Sequence, residues 1–247
     1  MNWHALSSCL LACAVALATS GCKTASGKPG PDSGTPRPEQ VLDFTTLYSQ
    51  NCAACHGANG KNGAAISLAN PVYLAIAGVT NIQRVTAAGV AGTAMPPFSK
   101  ASGGMLTDQQ IAALAQGMVA TWGDAAALGG QTPPAYASSA PGNPEQGAKT
   151  FATFCAQCHG ADASGKKASN GDMIGSLVDP SYLALISNQG LRSIILAGQT
   201  EQGKHNWSAY GNGPGTRAMT DQEVTDTVAW LASHRIATPG QVYTQHP

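Results

Sequence analysis

The sequence predicts two tandem all-α domains, and three observations point there. A five-residue motif recurs: CAACH at 52–56 returns as CAQCH at 155–159, an offset of 155 − 52 = 103. Its surroundings recur with it, LANPVYLA at 68–75 as LVDPSYLA at 177–184 (offset 109) and MLTDQQI at 105–111 as AMTDQEV at 218–224 (offset 113), the mark of an internal repeat of domain size. Both copies end in a helix-start signal followed by apolar residues at helical spacing.

The elements follow in chain order. Residues 1–22, MNWHALSSCLLACAVALATSGC, are apolar from Ala5 to Ala18, too short for a mature membrane span, and end in small residues. They read as an export signal, though without Lys or Arg ahead of the apolar run. LATSGC resembles a lipoprotein signal in which Cys22 is lipidated and becomes the new N-terminus. The alternatives are LLAC ending at Cys13, cleavage near Ser20, or an uncleaved anchor. Residues 23–38, rich in Gly, Ser and Pro, read as a flexible tether. The first domain spans 39–123. Its entry, 39–51, has Val41, Phe44, Leu47 and Tyr48 at helical spacing and runs into CAACH. At its end Thr107 and Gln110 fit a capping box, and Ile111, Leu114, Ala115, Met118 and Trp122 form a packing stripe, so Met118 reads as core.

Residues 124–143 read as a linker, and the second domain spans 144–236 with a tail at 237–247. Its entry helix, 144–155, has Pro144 near N1 and then Phe151 and Phe154. Thr220 and Glu223 repeat the capping box before Val224, Thr227, Val228 and Leu231. The offset grows from 103 to 109 to 113, so the second copy carries about six extra residues after CAQCH and four more before its last helix.

Length and composition agree with this division. A chain of 247 residues suits two domains of roughly 100 each. With 29 Gly, 15 Pro and 11% charged residues, it is rich in loop and needs more than apolar cores to hold it together. Thirteen Lys and Arg balance thirteen Asp and Glu, which excludes the basic footprint of a nucleic-acid binder.

The cysteines carry the chemistry. Cys9 and Cys13 leave with the signal and Cys22 takes lipid, so four of seven remain: Cys52, Cys55, Cys155 and Cys158. Each pair is followed at once by a histidine, His56 or His159. CxxCH attaches haem: two thiols add across the porphyrin vinyl groups as thioethers, and the adjacent histidine becomes the proximal iron ligand. Two redox-active CxxC pairs, or one zinc site shared by four thiolates, are the competing readings. Neither gives His56 and His159 a reason to be there.

At these residues the chain resembles a two-domain, di-haem cytochrome c of the class I fold, over about 40–123 and 144–236. The resemblance implies two all-α domains, each wrapped around a covalent c-type haem, with an entry helix crossing a terminal helix. An aromatic residue or glycine marks that crossing, and the register pairs Phe44 with Gly147 and Gly117 with Trp230. The expected contacts are therefore Phe44 on Gly117 and Trp230 on Gly147. TAMPPF, with Met95 some 39 residues after His56, resembles the class I distal-ligand loop; Met105 is the alternative.

The second copy departs from that pattern. At offset 109, Met95 falls on Lys204, and His205 follows it in GKHNW. The favoured distal ligand is His205, because imidazole is largely neutral at pH 7 whereas an amine must lose a proton. Lys204, Met219 and an open iron remain alternatives. The function implied is single-electron transfer on the periplasmic side of the membrane, by an exported, lipid-anchored carrier. A quinol-oxidising complex or dehydrogenase is the implied donor and a terminal oxidase the acceptor. A subunit of a larger oxidoreductase, or a di-haem peroxidase with an open second iron, is the other reading.

Overall fold

The computed structural model describes residue 34 and residues 36–199, 203–208 and 217–237. The export signal, Cys22 and most of the tether and tail lie outside the described residues. Nine α-helices and one two-stranded ribbon are found among the described residues: α1 (Phe44–Asn51), α2 (Ala53–His56), α3 (Pro71–Ala88), α4 (Asp108–Trp122), α5 (Pro144–Phe154), α6 (Ala156–His159), β1 (Lys166–Lys167), β2 (Met173–Ile174), α7 (Pro180–Leu185), α8 (Asn188–Ala197) and α9 (Asp221–Ser233). The fold is all-α, as expected. From Pro38 on, both halves belong to one compact unit.

The entry helix of the first domain begins later than the apolar pattern suggested. Asp43 accepts from the Thr46 backbone N–H at 2.8 Å and so caps α1 one residue before Phe44. Upstream, Gln110 of α4 donates its side-chain amide to the carbonyls of Pro38 and Val41. Its carbonyl oxygen meanwhile accepts from Thr107 N–H at 3.0 Å, completing the expected capping box. One buried glutamine therefore starts the last helix and ties down the entry to the first. Leu47, Tyr48, Leu74, Ile82, Leu106, Ile111, Leu114 and Met118 form the core, so Met118 packs as predicted.

The second domain repeats the plan. Asn143 caps α5 and Pro144 stands in its first turn; Thr220 and Glu223 close the second capping box at the head of α9. Phe151, Leu183, Leu191, Leu196, Trp207, Met219, Val224, Val228 and Leu231 form its core. The match extends to a break in the middle. Gly78 takes φ 64°, ψ 167° and kinks α3, and 78 + 109 = 187 is Ser187, where α7 has ended and α8 is capped. The six extra residues form the β1–β2 ribbon, pairing Lys166 with Ile174 and Lys167 with Met173.

Both helix crossings fall where the register placed them. A Cβ on Gly117 would lie 2.4 Å from the Phe44 ring, and one on Gly147 would lie 2.7 Å from the Trp230 Cβ and 2.0 Å from the Asp226 carbonyl oxygen. Large rests on small in both domains, with the partners exchanged.

The 124–143 segment is docked rather than loose. Arg192, 4% exposed, donates to the carbonyls of Ala135 and Tyr136, to Thr225 Oγ1 and to the Asp221 carboxylate. Tyr136 is buried with its ring 6.5 Å from that of Tyr73 in the first domain. The two domains also meet through Asn70. Its oxygen caps α3 by accepting from Val72 and Tyr73 N–H, while its amide donates to the Ala197 and Gly198 carbonyls of the second domain, both at 3.2 Å.

Candidate haem sites

Each CxxCH forms one helical turn entered through its first cysteine. Cys52 ends α1 and begins α2 at φ −121°, ψ −34°; Cys155 does the same between α5 and α6 at φ −121°, ψ −33°. The second cysteine and the histidine then donate N–H back to the first cysteine's carbonyl, at 3.2 and 3.0 Å in the first copy and 3.1 and 3.0 Å in the second. Side chains three and four apart share a face of such a turn. Both thiols and the imidazole are thereby grouped on one side.

Glycine closes each turn. Gly57 (φ 82°) and Gly160 (φ 82°) adopt the positive φ that favours glycine, and a Cβ on Gly57 would strike the Lys61 carbonyl oxygen at 1.9 Å. Tyr48 steadies the first turn by donating its hydroxyl to the Gly57 carbonyl at 2.9 Å.

The protonation chemistry separates the competing readings. Burial pushes the Cys52 thiol up to about 11 and Cys155 up to about 12, each reinforced by its neighbouring thiol. A redox-active CxxC needs a depressed thiol, and burial moves Cys52 and Cys155 the other way. Among the described residues no group of three or more His, Cys, Asp or Glu side chains is placed to hold a metal ion, which removes the shared zinc site.

The histidines suit an iron ligand. Nδ1 of His56 lies 2.7 Å from the Ile66 carbonyl oxygen and must donate to it, leaving the Nε2 lone pair free. Burial lowers the His56 pKa against the opposing effect of that hydrogen bond, and lowers His159 with help from the Lys204 charge. Both imidazoles are held in the neutral, ligating form. These residues fit a covalently bound haem.

The two proximal sides differ in one respect. Leu68 N–H reaches the Gly60 carbonyl at 2.7 Å and Leu177 N–H the Ala163 carbonyl at 2.8 Å, so the loops close alike. The longer second loop, however, puts Gly175 against Gly165, whose Cβ would stand 2.9 Å from the Gly175 carbonyl carbon. Gly175 is the register partner of Ile66. Nδ1 of His159 is buried with no hydrogen-bond partner.

On the distal side, Met95 is half-buried in a tight loop. Val90 N–H donates to its carbonyl at 3.0 Å and Thr93 Oγ1 accepts from its N–H at 3.2 Å. Met105 is 80% exposed. In the second domain His205 is exposed, Lys204 is half-buried, and Met219 is 2% exposed in the core. Met219 N–H donates to Trp207 O as Leu106 N–H donates to Phe98 O, which makes Met219 a packing residue.

Sequence reasoning missed Ile66, Asn70 and Tyr136. A backbone carbonyl leaves no signal in its side chain, so Ile66 was invisible. Asn70 stands within the repeated LANP/LVDP segment, but its hydrogen bonds to Ala197 and Gly198 depend on the other domain.

Comparison with known proteins agrees with this geometry. Residues 144–235 match the family described as Cytochrome c, and residues 39–116 match Cytochrome C oxidase, cbb3-type, subunit III. Over 133 residues the chain is 30% identical to the Cbb3-type cytochrome c oxidase subunit FixP of Sinorhizobium medicae (strain WSM419), covering 49% of this chain and 39% of that protein. Over 135 residues it is 30% identical to subunit FixPc of Rhizobium leguminosarum bv. viciae, covering 51% and 41%. The chain thus spans about two fifths of the length of these curated relatives. A solved structure, the Kuenenia stuttgartiensis reducing HAO-like protein complex Kustc0457/Kustc0458, aligns over 82% of this chain and all of that one at 16% identity and a TM-score of 0.40. Each of the two CxxCH turns thus sits in a domain that matches a cytochrome c family, and the chain carries two covalent c-type haems.

Proposed function

We propose that this chain carries single electrons in a respiratory chain, passing them between its two domains and on to a terminal oxidase. In this reading Cys52 and Cys55 hold one haem and Cys155 and Cys158 the other, with His56 and His159 as proximal ligands and Met95 distal in the first domain. The bound haem supplies a reversible one-electron ferric/ferrous change; the protein supplies orientation, burial and ligand chemistry. Ile66 fixes the His56 ring by accepting a hydrogen bond from its Nδ1–H.

The observation that carries the reading is the interface at Asn70. The loop holding His56 and the loop opening the second distal region line one crevice, through Ile66, Ser67 and Asn70 on one side and Ala197, Gly198 and Gln199 on the other. Electron transfer between sites needs such close, rigid packing and no substrate pocket. The names of the relatives, both oxidase subunits, support a terminal oxidase as acceptor, either as a free partner or within one assembly. A quinol-oxidising complex or dehydrogenase is the donor. The proposal includes an export signal and a lipidated Cys22 that would hold the domains on the periplasmic side of a membrane. Among the described residues no helix is long and apolar enough to cross a membrane.

The test is reduction of the purified holoprotein by a one-electron donor, followed by reoxidation with an oxidase-containing membrane fraction. Two covalent haems by mass and full, reversible turnover of both are expected. Peroxide turnover with no electron delivery to the oxidase would reject the carrier reading in favour of an enzyme.

A further inference from the structure

The two distal loops can be matched at the described residues that open and close them. Gly89 stands at φ 67°, ψ −167° and Gly198 at φ 68°, ψ −174°; each ends its helix by donating N–H four residues back, to Val85 O and Ile194 O. The next residue then closes the loop. Val90 N–H donates to Met95 O at 3.0 Å, and Gln199 N–H donates to Lys204 O at 3.1 Å.

The space over each glycine gives the same register independently. A Cβ on Gly89 would meet Met95 O at 2.8 Å and the Pro96 carbonyl carbon at 2.6 Å; one on Gly198 would meet Lys204 O at 2.7 Å and the His205 carbonyl carbon at 2.6 Å. Lys204 therefore stands where Met95 stands, and His205 where Pro96 stands. His205 is exposed, as Pro96 is, whereas Lys204 and Met95 are both half-buried.

We propose that Lys204 is the distal ligand of the second haem. This rests on the reading that CAQCH carries haem. In the second loop Lys204 N–H also returns to Gln199 O at 3.0 Å, making a two-bond bridge. The Lys204 Nζ lies 2.7 Å from Gln199 Oε1, so the amine is held within its own loop. When Nζ binds iron, its lone pair forms the N–Fe bond and one proton leaves to solvent. Two N–H bonds remain, and Gln199 Oε1 can accept one of them. Gln199, which replaces Val90, is thus a positioning residue for the amine.

The experiment compares the full holoprotein with Lys204→Ala, Lys204→Met and His205→Ala. Covalent haem is counted by mass; ferric axial ligation is read by electron paramagnetic resonance and near-infrared magnetic circular dichroism, and carbon monoxide binding is measured on the ferrous form. The wild type should show one thioether-ligated and one amine-ligated low-spin haem. Lys204→Ala should turn one of the two haems high-spin and open it to carbon monoxide, Lys204→Met should give a second thioether signature, and His205→Ala should leave the ligation unchanged. Loss of the nitrogen-ligated signal in His205→Ala, or carbon monoxide binding by the wild type with no change in Lys204→Ala, overturns the proposal. A wild-type chain with only one covalent haem would instead defeat the CAQCH reading on which it rests, and the mass measurement separates that failure from the others.

Discussion

Single residues decide how closely the entry and terminal helices approach, and the two crossings solve one problem with opposite residues. Gly117 faces the Phe44 ring and Gly147 faces Trp230 and the Asp226 carbonyl oxygen. Alanine is the better helix former by about 1 kcal/mol, yet both glycines should resist replacement, since overpacking a close contact costs about 1–3 kcal/mol. Gly147→Ala should be the more damaging, because its new methyl would meet backbone 2.0 Å away, whereas Gly117→Ala meets a side chain that can turn. Denaturant unfolding of the two holoproteins checks this order; a stabilised Gly147→Ala would show that the crossing is looser than described. These residues were legible in the sequence because the resemblance marks the crossing with an aromatic residue or glycine and the repeat register located both pairs. The choice between His205 and Lys204 was not: sequence weighed the basicity of each donor, while the observation behind the proposal, that Lys204 follows Gly198 as Met95 follows Gly89, is a matter of backbone hydrogen bonding.

At the scale of elements, the two terminal helices begin with the same box made of different chemistry. Gln110 is neutral and 3% exposed. Glu223 is ionised and bonded to Arg217 by both oxygens, and the Arg217 guanidinium, the largest influence, with the Thr220 backbone and hydroxyl, holds its carboxyl down to about 2 from an ordinary 4.5. A depressed acid stabilises the fold fully above its unfolded value and loses that contribution as pH falls toward the folded one. The start of α9 should therefore weaken between about 4.5 and about 2, while the start of α4 should show no such dependence from its own box. Because Arg217 is exposed, solvent screening keeps the effect small. Amide exchange in the first turn of each helix, measured across that range, tests the contrast, and Glu223→Gln should abolish it. Removing either cap, by Thr107→Ala or Thr220→Ala, should cost about 1 kcal/mol. Both boxes, both stripes and the insertion were readable from spacing. What was not readable is that the insertion forms a ribbon and that 124–143 is docked, since both depend on partners remote in sequence: Gly165 under Gly175, and Arg192 under Ala135 and Tyr136.

The whole molecule is asymmetric although its halves are copies. One proximal histidine leans on a carbonyl and the other has an unpartnered Nδ1; one distal loop presents a thioether and the other an amine. A thioether ligand raises haem potential, and a more basic nitrogen stabilises ferric iron and lowers it. The two haems should therefore titrate separately, the first at the higher potential, with electrons running from the second domain to the first. Asn70 joins the two halves of that route, since its amide holds the Ala197 and Gly198 carbonyls just ahead of the Lys204 loop while its oxygen caps α3. Asn70→Ser separates the two tasks: serine retains an N-cap oxygen but is too short to reach across the interface. The loss of two buried hydrogen bonds, each worth about 1 kcal/mol net, should loosen the second distal loop and leave the first domain intact. In a spectroelectrochemical titration the variant should show an altered lower potential and an unaltered higher one, with slower equilibration between haems after rapid reduction. Equal potentials in the wild type would remove the asymmetry, and an Asn70→Ser change confined to the higher-potential haem would show that Asn70 serves its own domain alone.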